Sequence, residues 1–181
     1  MERKVIDNCV VFFDRDVDVE ELKKLFPQGF SGDIVINGNL ICSAKTPSKA
    51  LIYGNLWILG DYKPNILRNI NKLIIDGSLY SESIINVGGD LEVKEDLILH
   101  GEICIAKISV YGDFIANGYV EATDIVVKGN FVNRENVECC QVIVGRDWKC
   151  YGRASTYQVI VGHKLECDDG IHTNGYPIMI G

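Results

Sequence analysis

The chain is short of cations, of histidine and of long apolar runs. It has 18 Lys plus Arg against 25 Asp plus Glu, a formal charge of −7. That balance argues against a broad nucleic-acid-binding face, which needs clustered cations to neutralise phosphates. It would suit a basic protein partner. No stretch approaches the length of apolar chain that crosses a bilayer, so no membrane span is expected. Met1–Asp7 does not read as a signal peptide, and Val10–Phe13 is too short for its apolar core. The 7 cysteines follow no metal-ligand spacing. Cys139 and Cys140 are adjacent and must point to opposite faces of a strand, whereas Cys42, Cys150 and Cys167 share one inward position. Reduced cysteine used as a small hydrophobe fits that pattern and points to a cytoplasmic location.

What the chain does contain is a repeat. Leu91, Ile108, Ile125, Val142 and Val159 recur with one constant step, and Val93, Val110, Val127, Val144 and Val161 repeat it two places on. A second ladder runs Leu97, Phe114, Phe131, Trp148, Leu165, and a third Ile103, Val120, Val137, Ala154, Ile171. Three short apolar-x-apolar strands in a period of about 17 residues describe one coil of a three-sided β-helix. The expected fold is therefore an all-β, single-domain solenoid over residues 33–181. Its second ladder gives about eight coils, marked by Leu40, Leu56, Leu79, Leu97, Phe114, Phe131, Trp148 and Leu165. At about 4.8 Å per coil, the rod is roughly 40 Å long.

Residues 1–32 fall outside the ladder and read as an N-terminal cap. Asp18–Phe26 has helical spacing, with Asp18 as N-cap and Glu21 completing a capping box. The long step from Leu56 to Leu79 places an irregular insertion near residues 60–71. Corners are Gly-polar, as at Gly112-Asp113 and Gly129-Asn130, because these residues tolerate the left-handed backbone that a sharp corner is expected to demand. The last coil is expected to end bare and apolar, at Tyr176-Pro-Ile-Met-Ile-Gly181.

On the second side the large residue precedes the small one, as in Phe114 then Ala116 and Trp148 then Cys150. Hexapeptide-type left-handed helices show the opposite order and a longer coil, so a right-handed helix is expected. The stretches Ile85-Asn-Val-Gly-Gly-Asp-Leu91, Ile108-Ser-Val-Tyr-Gly-Asp-Phe114 and Ile125-Val-Val-Lys-Gly-Asn-Phe131 resemble the bactofilins, a family of polymer-forming cytoskeletal proteins. The resemblance lies in repeat style over residues 33–180. It implies a cytoplasmic right-handed β-helix without catalytic machinery that polymerises through its ends. The helical N-terminal cap departs from that family, and would limit end-on growth to a dimer through the C-terminal end.

The chemistry expected of an enzyme is scarce. Regular coils leave no room for the long loops that wall a sugar-cleaving groove. Asp96, Asp113 and Asp147 share a corner column with Asn130 and Lys164, which reads as solvated carboxylate, with a bound cation or basic partner as the alternative. His100, His163 and His172 fall in different columns, and the outward thiols Cys104 and Cys140 have no activating neighbour. No phosphate loop, dinucleotide fingerprint or metal motif is present, and no cofactor is expected. Mixed outward columns exclude an ice-binding threonine array.

Surface remains. Val126, Ile143 and Ile160 form one outward apolar strip, and Ile98, Ile115 and Val132 another. Strand propensity accounts for such residues singly, but three in register make a patch of the kind that marks interfaces. Two functions follow as expectations. One is a non-enzymatic scaffold forming a homo-oligomer, dimer or polymer, through Ile171, Tyr176, Ile178 and Ile180 or through a lateral strip. The other is an acidic module that binds or inhibits a basic or nucleic-acid-handling protein, without itself binding nucleic acid.

Overall fold

A computed structural model describes residues 3–5, 10–30, 32–41, 50–51, 55–58, 62–63, 67–68, 72–75, 77–81, 85–86 and 89–181. The chain is a β-solenoid. Parallel strands stack coil on coil, and each inward residue lies over its counterpart in the coil before.

On the first side the in-register column runs Val11, Ile34, Leu56, Leu73, Leu91, Ile108, Ile125, Val142, Val159, Ile178. The successive turns from Leu56 to Val159 take about 17 residues each. The second side is a separate nine-stranded sheet with the column Val17, Leu40, Tyr62, Leu79, Leu97, Phe114, Phe131, Trp148, Leu165. The third side carries Ile103, Val120, Val137, Ala154 and Ile171. Around Ile103–Val110, Val120–Val127 and Val137–Val144 it passes into the first side without a break in the strand. The corner is made by two successive residues off the core, Ala106-Lys107, Thr123-Asp124 and Cys140-Gln141.

The described inward positions are almost wholly buried until the last coil. Burying one such aliphatic side chain stabilises the fold by about 1.5–3 kcal/mol. Column stacking adds a directional component. The Phe114 and Phe131 rings lie 4.7 Å apart at 10°, and Phe131 and Trp148 lie 5.6 Å apart at 13°. Stacked pairs of this kind contribute about 0.5–1.5 kcal/mol beyond area.

One expectation is corrected. Leu56 is not a marker of the second side. It pairs with Ile34 and Leu73 on the first, and Tyr62 takes the second-side place between Leu40 and Leu79. An apolar-x-apolar triplet fits either side, so spacing alone misassigned it. Within residues 60–71, Tyr62–Lys63 and Leu67–Arg68 hold ordinary strand positions, and the long step is Leu40 to Tyr62. The remaining residues of that expected insertion lie outside the described ones, as does Cys42. Coil register also begins upstream of Asp33, because Val10–Phe13 pairs in parallel with Asp33–Ile36.

The N-terminal segment does contain a helix, α1 (Val19–Leu25). Asp18 Oδ1 accepts the Glu20 N–H at 2.8 Å, as an N-cap does. The capping box does not form, since Glu21 pairs with Arg15 instead of returning to the cap. Val17, Val19 and Leu22 are buried, and α1 packs on Val17–Asp18 and on Ala50–Leu51 of the third side. Arg3–Val5 adds an antiparallel strand outside Val10–Phe13.

Candidate interaction surfaces

The two outward strips form as continuous columns. Val126 lies over Ile143, Ile143 over Ile160, and Ile160 over Met179. Met179 was missed in the sequence because the step from Ile160 to Met179 is longer than the step from Ile143 to Ile160. On the second side Ile98, Ile115 and Val132 are in register, and Lys149 and Glu166 continue the column. Strip residues upstream of Met179 are half-buried between flanking side chains.

Among the described residues the C-terminal coil presents the largest apolar exposure. Ile178 and Ile180 stand on the inward column over Val159 and Val161, yet are 40% and 55% exposed. Met179 is 44% exposed, so the first-side strip and this end form one apolar surface. Tyr176 is exposed and meets exposed Tyr157 edge-on, with centroids 6.5 Å apart. Ile171, over Ala154, is half-buried.

Beside the second-side strip lies a shallow groove of about 340 Å³, floored by Ile115 and Val132 and edged by Asp113, Asp147, Lys149 and Glu166. Its charges are matched internally. Glu166 bonds Lys164 and lies 4.0 Å from Lys149, and the Lys164 bond holds its carboxyl below the ordinary range. His163 Nδ1 sits 2.6 Å from Asp147 Oδ1.

The corner column has a role that the sequence did not disclose. Asp96 Oδ1 accepts the Asp113 N–H, and Asp113 Oδ1 the Asn130 N–H, each at 2.8 Å; Asn130 Oδ1 then accepts the Asp147 N–H at 3.3 Å. Asp16 does the same for Asn39 at 2.7 Å. These side chains tie each corner to the next and satisfy amides that no strand partner reaches.

Cys104 and Cys140 are exposed, as their phase implied. Partial desolvation at the strand surface and neighbouring Glu121 push the Cys104 thiol up. Burial lifts Cys139 to about 11 and Cys150 to about 12. All three shifts disfavour the thiolate, the form a nucleophile needs. Among the described residues no group of three or more His, Cys, Asp or Glu is placed to hold a metal. No described helix is long and apolar enough to cross a membrane.

The architecture defines the class, a parallel β-solenoid of short, regular coils with apolar outer strips. Comparison with protein families, with curated proteins and with solved structures gives no match.

Proposed function

We propose that this chain is a non-enzymatic structural β-solenoid, bactofilin-like in style, that self-associates through its C-terminal coil. The observation that carries this reading is the exposure of Ile178 and Ile180, which occupy core positions of the ladder. Core-phase side chains and a strand edge presented together are what a further coil would cover, and a second copy can supply one. The contiguous Val126–Ile143–Ile160–Met179 strip offers the lateral route.

Light scattering across a concentration series tests it. The mass is expected to rise from monomer to dimer or larger, Ile178→Asp to abolish that rise, and Ile143→Asp to leave it. A monomer at all concentrations refutes self-association. Assembly that survives Ile178→Asp and fails with Ile143→Asp moves the interface to the lateral strip.

One feature supports a second reading, the acidic partner-binding module. Outward Glu121 and Glu138 are direct register partners on the third side. Like charges so placed destabilise a sheet, and a basic protein would relieve them. Partner binding that weakens steeply with salt supports that reading.

A further inference from the structure

Cys150 and Cys167 are direct register partners on the inward face of the second side, one coil apart. Cys150 is buried; Cys167, on the edge strand of its sheet, is half-buried. The Cys150 thiol donates to the Gly152 carbonyl at 3.0 Å, and the Cys167 sulfur lies 3.9 Å from the same oxygen. Asn133, one coil further in, donates its Nδ2–H to the Cys150 sulfur at 3.1 Å. That amide is locked in turn: Trp148 Nε1–H donates to Asn133 Oδ1 at 2.7 Å, and Asn133 Nδ2–H also reaches the Glu135 carbonyl at 2.8 Å. Two sulfurs thus stand one above the other at the end of the inward column Leu99, Ala116, Asn133, Cys150, Cys167, with an oriented amide donor beside them.

Spacing decides what such a pair can do. A disulfide needs Cβ atoms about 3.8 Å apart and sulfurs about 2.05 Å apart. Coils of a parallel sheet hold equivalent backbone atoms about 4.8 Å apart, and the pairing of Trp148–Cys150 with Leu165–Cys167 puts the two Cβ atoms near that separation. Bonding the sulfurs would draw the two Cβ atoms together by about 0.3–1 Å. A cation between them makes no such demand, because two metal–sulfur bonds of about 2.3 Å each span the coil spacing. Zinc requires four ligands, and the described residues assemble no such set. Thiolate pairs select soft ions, of which Cu(I) accepts low coordination.

We propose that Cys150 and Cys167 form a two-sulfur site for Cu(I), entered from the Cys167 side. On loading, each S–H bond breaks and its proton passes to solvent, two sulfur–copper bonds form, and no electron is transferred. The site gains one negative charge, which the Asn133 amide stabilises.

The test uses the full chain with the exposed thiols among the described residues removed, C104S/C140S, titrated anaerobically with Cu(I) supplied as its acetonitrile complex against the chelator bicinchoninate. One equivalent is expected to stay on the protein, with near-ultraviolet sulfur-to-copper absorption. C150A and C167A are each expected to release it. C167A lies at the half-buried end and keeps the test valid if C150A fails to fold, which circular dichroism shows. Failure of C104S/C140S to retain copper, or retention unchanged by C167A, overturns the proposal. A Cys150–Cys167 disulfide formed readily with hydrogen peroxide in the metal-free chain overturns its geometric basis.

Discussion

The Asp113 carboxylate accepts the backbone N–H of Asn130, the residue one coil above it, at 2.8 Å. The Asn130 side-chain amide reaches the same oxygen at 3.1 Å. A short polar side chain at a corner therefore binds its own coil to the next. Asp113→Ala leaves the Asn130 amide without this acceptor and is expected to lower stability by about 1–3 kcal/mol. Asp113→Asn keeps an acceptor oxygen and is expected to recover most of that loss. Urea denaturation measures both, as a shift in midpoint at constant slope. Equal losses for the two variants would mean that the carboxylate's charge, and not its hydrogen bond, matters.

Gly129 supports the same corner by having no side chain, and not by the left-handed backbone expected there, since its φ is not positive. A Cβ there would sit 2.3 Å from Asp113 Oδ1 and 2.4 Å from the Gly112 carbonyl oxygen. Gly112 is backbone and cannot swing aside, so Gly129→Ala must push two coils apart. The expected cost is about 1–3 kcal/mol, together with weakened protection of the Gly129 N–H, which donates to Gly112 O at 3.0 Å. Hydrogen exchange reads that amide directly. Gly170→Ala is the contrast: its added Cβ meets nothing within 4 Å, and its cost comes only from a φ of 89°.

The regular coils were legible because the solenoid repeats one physical problem. From Leu91 to Val159 every inward position has the same neighbours above and below, so a fixed step along the chain reports the register outright. Tyr62 escaped because a tyrosine took the column place between Leu40 and Leu79, while the nearby Leu56-Trp-Ile58 triplet imitated it. The helix was legible from Asp18 and its apolar spacing, but not its seat. Packing against Ala50–Leu51 joins segments far apart in the chain, a relation that no local pattern encodes. The outer strips were visible as phase. The corner hydrogen-bond column was not, because Asp and Asn serve equally as turn formers and as acceptors for a neighbouring coil. Handedness leaves no mark on inward alternation, since either hand buries the same residues.

Trp148 and Asn133 form a buried polar contact within the aromatic stack, with Nε1–H donating to Oδ1 at 2.7 Å. Both residues are 0% exposed. Trp148→Phe preserves stacking on Phe131 but strands the Asn133 oxygen, and is expected to cost about 2–4 kcal/mol from the lost packing and the unpaired acceptor together. Asn133→Ala is expected to strand the indole N–H and cost a comparable amount. Because each single change orphans a partner, the double variant should lose less than the sum of the two. A double-mutant cycle in urea checks this, and strict additivity would exclude a coupled pair.

Cys139 gives stability a dependence on alkaline pH whose sign is fixed. Burial raises its thiol from 9.0 to about 11 in the folded chain. Below the unfolded value both states carry the proton, and the full contribution is present. Above it the unfolded thiol ionises while the folded one does not, so stability falls until the pH passes the folded value. Over that window the loss is on the order of 2 kcal/mol. Ala122 occupies the same column one coil earlier and is 6% exposed, so Cys139→Ala fits the space. Tyr119, raised to about 12, titrates in an overlapping range, which makes the difference between wild type and C139A the informative quantity. The C139A chain is expected to lose less stability between about pH 8 and pH 10.5 than the wild type does. Parallel losses in the two chains would show that the Cys139 proton is not held by the fold.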